Sequence, residues 1–340
     1  MLAIKIGDLI IKLESSDPAV LYAWHSMLAG WPIEKRAKGD LTLYFQLIDR
    51  LPAPPPLPPI YIQPGQTAGA PDAMIVYQLE TEQLVVHFPG LAMFLLTLNH
   101  KQHDPAVTGF LTPQALRPDW LENILVQLLP PLLRRQGYYM LHGFAATRHG
   151  RAILLVGQSG SGKTTTGLAL LRAGWEFLCN DTVMLQALPG GIYALPFPGQ
   201  PGIRPKTFKL LPWLLEAPLQ FVSEQQWLLQ TTIWPGRWAE PALVSTVYFP
   251  QIDGRGPSRL HSLPAAVGLS RLLEQSVQKW DSGDMVAHLP FWERLSQQIK
   301  PVQLQLGDDM TQTVALLENH NTPDNNKRAT LFQDAARLTV

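Results

Sequence analysis

Residues Gly157, Gln158, Ser159, Gly160, Ser161, Gly162, Lys163 and Thr164 read GQSGSGKT and fill every fixed position of G-x-x-x-x-G-K-[ST]. Glycines let a backbone approach an anion closely, so a loop of this composition can turn its N–H groups onto phosphate oxygens. Lys163 then brings a positive charge to the β- and γ-phosphates, and the Thr164 hydroxyl, followed by Thr165, can complete the coordination of Mg²⁺. This chemistry needs a strand before the loop and a helix after it, because the N–H groups must converge at a helix amino terminus. Ala152 to Val156, AILLV, is an apolar run suited to a buried strand, and TTTGLALLRAG is a short helix closed by Gly174. A chance glycine-rich turn is the competing reading, and the strand–loop–helix order argues against it.

A second candidate lies just downstream. Phe177 to Asn180, FLCN, reads as a short strand ending in Asn180-Asp181, with TVMLQAL as another β-like run behind it. A carboxylate at a strand end beside a phosphate loop can hold Mg²⁺ or accept a proton from an attacking hydroxyl. Asp181 is therefore a candidate metal ligand and base, with a turn or cap aspartate as its plainer alternative. Cys179 sits inside the same apolar strand with no histidine close in sequence, which suits a buried thiol better than a nucleophile.

The elements around this unit follow from pattern. Trp120 to Gln136 carries apolar residues at three- and four-residue spacing and predicts a helix kinked at Pro130 and closed by Gly137. YYMLHGFAATRHGRAILLV then reads as two strands joined at His149 and Gly150. That hairpin gives the P-loop strand an antiparallel neighbour, so the sheet should be mixed. Upstream, Ala3 to Leu13, Leu41 to Ile48, Met74 to Leu79 and Leu84 to Phe88 are β-like runs. Between them LPAPPPLPPIYIQPG, residues 51–65, is held extended by its prolines and suits a surface loop or linker better than a PxxP ligand. The division expected is a β-rich region over 1–130, a P-loop domain over 131–319 and a polar tail over 320–340, disordered from about Asn319.

Arg204 and Lys206 fall in a proline- and glycine-punctuated stretch where a second phosphate clamp or substrate contact can arise. Solvated loop charges explain them as well, and they are not counted as site residues. Trp227, Trp234 and Trp238 suit a core or subdomain contact better than a stacking platform.

The whole chain bounds these readings. It has 340 residues, 46% of them hydrophobic, enough for a sizeable core and too many for a small stapled scaffold. Lys+Arg and Asp+Glu are both 27, so no net charge of either sign draws it to nucleic acid or acidic membranes, and no base-reading motif is present. One cysteine gives neither an intramolecular disulfide nor a CxxC zinc cluster, which fits a reducing cytoplasmic setting. The apolar stretches from Leu91 and Ile124 fall short of the ~20 residues that cross a bilayer, and the amino terminus reads as a strand with no secretory pattern.

The stretch from Arg134 to Leu185, RRQGYYMLHGFAATRHGRAILLVGQSGSGKTTTGLALLRAGWEFLCNDTVML, resembles the HPr kinase/phosphorylase family. The similarity is greatest to its kinase-like branch in peptide-modification systems such as lasso-peptide biosynthesis. It is carried in order by the LHG strand, the hairpin, SGSGKT and a dipeptide ending in Asp. VSTVYFPQIDGRGPSRLHSLPAAVGLSRLL, from Val244, and VQLQLGDDMTQTVALLEN, from Val302, resemble the family's later strand, loop, helix and closing elements.

The resemblance implies an α/β P-loop kinase-like mixed sheet, related to HPr kinase and ATP-type phosphoenolpyruvate carboxykinase. It implies transfer of a phosphoryl group from ATP or GTP, with Mg²⁺, to a serine hydroxyl of a peptide or protein, and it points to a homo-oligomer. Residues 157–165 would bind the nucleotide, Thr164 and Asp181 the metal. His142 matches a family histidine near the phosphates, although a lone strand histidine also commonly bonds a backbone carbonyl. Asp181 matches the second of the family's paired aspartates, and Asn180 stands where the first, the proton acceptor, is found. An amide has no basic pKa and can only position a hydroxyl. Phosphoryl transfer depends more on positioning and charge neutralisation than on deprotonation, so an active enzyme and a nucleotide-binding pseudokinase or scaffold both remain open, as does a small-molecule hydroxyl kinase. The basic C-terminal motif tied to the phosphorylase reaction is not found.

Overall fold

In the computed structural model, residues 1–28, 31, 33, 39–65, 73–100, 104–230, 239–254, 256–276 and 280–322 are described. The amino-terminal part builds an eight-stranded sheet. Its elements are β1 (Leu2–Ile6), β2 (Leu9–Ser15), α1 (Pro18–Met27), β3 (Leu41–Leu47), β4 (Tyr61–Gln63), β5 (Met74–Glu80), β6 (Gln83–Phe88), β7 (Ala92–Thr97) and β8 (Val107–Leu111). Two helices follow, α2 (Pro118–Leu128) and α3 (Pro130–Arg135). The strand order is β1-β2-β3-β8-β7-β6-β5-β4, with β2, β3 and β8 parallel and the other neighbours antiparallel.

Three expectations change here. The run from Ala3 to Leu13 is a hairpin, not one strand, because Gly7 at φ +58° turns the chain and pairs Ile6 with Leu9. The helix expected over 120–136 is two, interrupted at Leu129, since Pro130 and Pro131 have no N–H to continue the ladder. Within the proline-rich stretch, Tyr61–Gln63 does pair, at the sheet's edge against β5, where missing donors do no harm.

The carboxy-terminal part comprises β9 (Tyr138–Arg148), β10 (Arg151–Val156), α4 (Lys163–Arg172), β11 (Glu176–Leu188), β12 (Gly191–Leu195), β13 (Gly202–Ile203), α5 (Pro205–Leu210), β14 (Leu219–Ser223), β15 (Gln226–Leu229), β16 (Ala242–Ile252), β17 (Arg259–Ser262), α6 (Ala265–Ser276), α7 (Ser282–Gln298), β18 (Lys300–Leu306) and α8 (Met310–Asn321). The hairpin at His149 and Gly150 is present, both residues at positive φ. β10 runs antiparallel to β9 and parallel to β16, so the seven-stranded sheet is mixed as the hairpin requires. β16 also touches β12, which closes β9, β10, β16, β12 and β11 into a ring. β13, β15 and β14 form a separate small sheet in which Trp227 packs edge-on to Phe208 and Phe221; Trp234 and Trp238 lie outside the described residues.

One apolar core runs from the first sheet through α2 and α3 into β9, β11 and β12. A second lies under α4 and α8 on the opposite side of the mixed sheet. α4 sits close to β9 because residue 167 is glycine: a Cβ there would lie 2.4 Å from the Phe144 ring. His320 and Asn321, expected to belong to the polar tail, instead end α8 and both bond the Tyr248 hydroxyl; residues 323–340 lie outside those described. Among the described residues no helix is long and apolar enough to cross a membrane.

Candidate active site

The loop between β10 and α4 is bent by three glycines in the left-handed half of φ space, Gly157 at +159°, Gly160 at +84° and Gly162 at +103°. At Gly162 both conformation and space exclude a side chain: a Cβ would stand 2.4 Å from Leu306 Cδ1. Gln158, Ser159 and Gly160 are exposed at the loop's crest. Ser161 Oγ is buried and finds no partner among the described residues.

Lys163 opens α4 and folds back over the loop. Its Nζ donates to the carbonyls of Gly157 at 2.6 Å and Gln158 at 2.8 Å, and the side chain is buried. Burial lowers its pKa to about 8; the Arg204 charge pushes the same way and Asp181 opposes both.

Thr164 points towards β11. Its Oγ1 donates to Asn180 Oδ1 at 3.1 Å, and Asn180 Nδ2 donates to Asp181 Oδ2 at 2.7 Å. Asn180 is buried and Asp181 exposed. The expected strand end is not an end: β11 continues through both residues to Leu188. Asp181 adopts φ +60° within the strand and is exposed, while pairing with β9 continues on either side, so the chain bends there without ending the strand. The Asp181 carbonyl bonds His142 Nδ1 at 2.9 Å across the β9–β11 ladder. Burial and the Lys163 charge hold the imidazole below its ordinary range, and Asp181 pulls the other way. His142 thus makes the backbone bond usual for a strand histidine and also stands beside Asp181. Thr165 Oγ1 shares a hydrogen bond with Thr207 Oγ1 at 3.1 Å.

The residue sequence reading set aside is Arg204. Its guanidinium donates to Ser159 Oγ at 2.8 Å and hangs over Gly160 at the loop's crest. Nothing in the local sequence announces this, because the contact joins residues 45 apart through the turn into α5. Lys206, by contrast, is exposed with no such contact. Cys179 is fully buried and its thiol is pushed up to about 12, which removes it as a nucleophile.

The loop cradle, the buried ammonium and Arg204 form one cationic mouth, with Thr164, Asn180 and Asp181 in a chain along its side. Among the described residues no group of three or more His, Cys, Asp or Glu gathers to chelate a metal. The donors on offer are a hydroxyl, an amide oxygen and a carboxylate, hard oxygens of the kind Mg²⁺ takes together with substrate phosphates.

No protein-family model and no curated protein matches the sequence. Among solved structures, the Hpr(Ser) kinase/phosphatase from Coxiella burnetii aligns with 53% of this chain and 95% of its own, at 10% identity and a TM-score of 0.29. A likeness that slight carries no argument about this chain.

Proposed function

We propose that this protein is an Mg²⁺-requiring phosphotransferase that moves the terminal phosphoryl group of ATP or GTP to a serine hydroxyl of a peptide or protein, in a cytoplasmic setting. The observation that carries the reading is the Thr164–Asn180–Asp181 chain beside a glycine cradle whose lysine is buried under it. The N–H groups of residues 157–165 hold the nucleotide phosphates, with Lys163 and Arg204 as the charges that accompany them. Thr164 and Asp181 are the residues that would hold Mg²⁺, which when bound neutralises phosphate charge. Asp181 also accepts the hydroxyl proton as the acceptor oxygen bonds phosphorus and the bond from phosphorus to the nucleoside diphosphate breaks. His142 positions Asp181 through its backbone carbonyl.

A second reading rests on Asn180. A buried amide beside Asp181 cannot take a proton, so the same geometry suits a nucleotide-binding module that senses or scaffolds. Incubation with γ-labelled ATP or GTP, Mg²⁺ and serine-containing peptides separates them. Label on serine is the expected result; tight nucleotide binding with no transfer under any condition rejects the kinase and leaves the module.

A further inference from the structure

Asp181 and His142 also line a second space. A cleft of ≈ 440 Å³ opens there, large enough for a small ligand or a short peptide segment. Its floor includes His142 and Asp181, and its walls come from distant parts of the chain: Tyr61 and Gln63 on β4, Asn123 and Gln127 on α2, Gln275 on α6. The walls are held firmly. Ile60 N donates to Val76 O at 2.8 Å as β4 begins, so the proline-rich stretch delivers Tyr61 and Gln63 at a fixed height on the sheet edge. Trp280, also on the lining, precedes Asp281, which forms a buried ion pair with Arg134 and a second contact with Arg135 at 3.3 Å.

The chemistry of the lining is specific. Side-chain amides and a phenol are prominent in its polar part; the Tyr61 hydroxyl donates to Gln63 Oε1 at 3.3 Å, and the amides of Gln127 and Gln275 each offer a donor and an acceptor. No lysine or arginine is among the described residues that line it, and its one carboxylate is Asp181. An anionic molecule entering would lose hydration, find no lysine or arginine on the lining and meet Asp181. A cationic acceptor would compete for Asp181, the lining's one carboxylate, with the Mg²⁺ that the phosphotransferase reading places there.

We infer that this cleft is the acceptor site and that it selects an uncharged molecule presenting a hydroxyl together with neutral hydrogen-bonding groups, with the amino-terminal sheet supplying one specificity wall. This rests on the phosphotransferase reading and adds the acceptor's chemistry and a role for the β-rich region. A capped neutral serine peptide and a neutral polyol share this chemistry.

The full chain, with Mg²⁺ and a slowly hydrolysed ATP analogue, is titrated with capped serine peptides of one length that are neutral, doubly acidic or doubly basic, and with a neutral hexose. ATP then replaces the analogue for transfer rates. The neutral peptide or the hexose should bind at least about tenfold more tightly than either charged peptide, and which of the two does so names the source. Gln127→Arg and Gln275→Ala should each raise the KM for the neutral acceptor about tenfold or more, and Gln127→Arg should favour the acidic peptide, with nucleotide affinity unchanged in both.

Equal or tighter binding of a charged peptide, no binding of any neutral probe at millimolar concentration, or unchanged KM in both variants overturns the inference. Nucleotide affinity is measured separately by the Lys163→Ala comparison. A protein whose nucleotide binding ignores that substitution fails the phosphotransferase reading itself, whereas normal nucleotide dependence with an indifferent cleft fails only the acceptor assignment.

Discussion

Asn180 Nδ2 donates to Asp181 Oδ2 at 2.7 Å while Asn180 Oδ1 accepts from Thr164 at 3.1 Å, so a single amide couples the first turn of the phosphate-loop helix to the exposed carboxylate. The amide suits that place because it can accept on one side and donate on the other. A carboxylate there could accept from Thr164, but it would set a second negative charge against Asp181.

Asn180→Asp tests this coupling. The new carboxyl is buried and lies beside Asp181, and both effects raise its pKa above the unfolded value. A group shifted that way lends stability at low pH and loses it as pH rises through the folded pKa. The variant should melt lower than wild type at pH 8, recover at pH 5, and recover at pH 8 when Mg²⁺ is added. Transfer at saturating Mg²⁺ should rise modestly. Melts that ignore both pH and Mg²⁺ would disconnect position 180 from the metal.

Asp181 carries two separable properties, its carboxylate and its φ of +60°. Asp181→Asn keeps a residue tolerant of the left-handed region and should reduce transfer by about 10²-fold or more, the usual contribution of a positioned acid or base. Asp181→Gly should be equally inactive yet melt higher, since relief of a non-glycine left-handed residue is worth on the order of 1 kcal/mol. Full transfer by Asp181→Asn would reduce Asp181 to a turn residue.

Local signals were enough for the strand, the loop, its helix and the hairpin before it, because each is written in adjacent residues: AILLV, the spaced glycines, Gly174, and His149 with Gly150. The misses share a cause. Gly7 ends a strand through one backbone angle, Asp181 bends a strand without breaking it, and Asn321 stays helical because Tyr248 holds it. Arg204 and the wall built by Tyr61 are set by contacts between residues far apart in the chain, and no local pattern records those.

Lys163 gives the site a pH dependence. Phosphates bind the ammonium form, so nucleotide affinity should be flat below pH 8 and fall towards tenfold per unit above it, as the free protein must take up a proton. Lys163→Met should bind weakly without that break. In the absence of nucleotide it should nevertheless be the more stable protein at pH 7. The native pKa, about 8, lies below the ordinary 10.5, so burying the charge costs stability below about pH 8 and the cost is gone above 10.5. That difference corresponds to roughly 3 kcal/mol, offset in part by the two hydrogen bonds lost, so a gain of about 1–2 kcal/mol is expected at pH 7, shrinking as pH rises above 8 and turned into a small loss by pH 10.5, where only the lost bonds remain. A destabilised Lys163→Met at pH 7 would mean the lysine holds the loop's structure.

Arg204 joins the loop's crest to the lysine beneath it. Its guanidinium is exposed and among the described residues bonds only a serine hydroxyl, so Arg204→Ala should leave the unfolding free energy within about 0.5 kcal/mol of wild type. Nucleotide affinity should fall by about tenfold, the loss of one charge-assisted phosphate contact. The variant has a second signature. Arg204 is one of the charges that lower the Lys163 pKa, so its removal should move the break in the affinity–pH profile above pH 8. Arg204→Lys keeps the charge and loses the forked geometry; it should hold the break near pH 8 while recovering only part of the affinity. Weaker binding with an unmoved break in Arg204→Ala would show that the arginine meets phosphate without acting on Lys163, and unchanged affinity would remove Arg204 from the site.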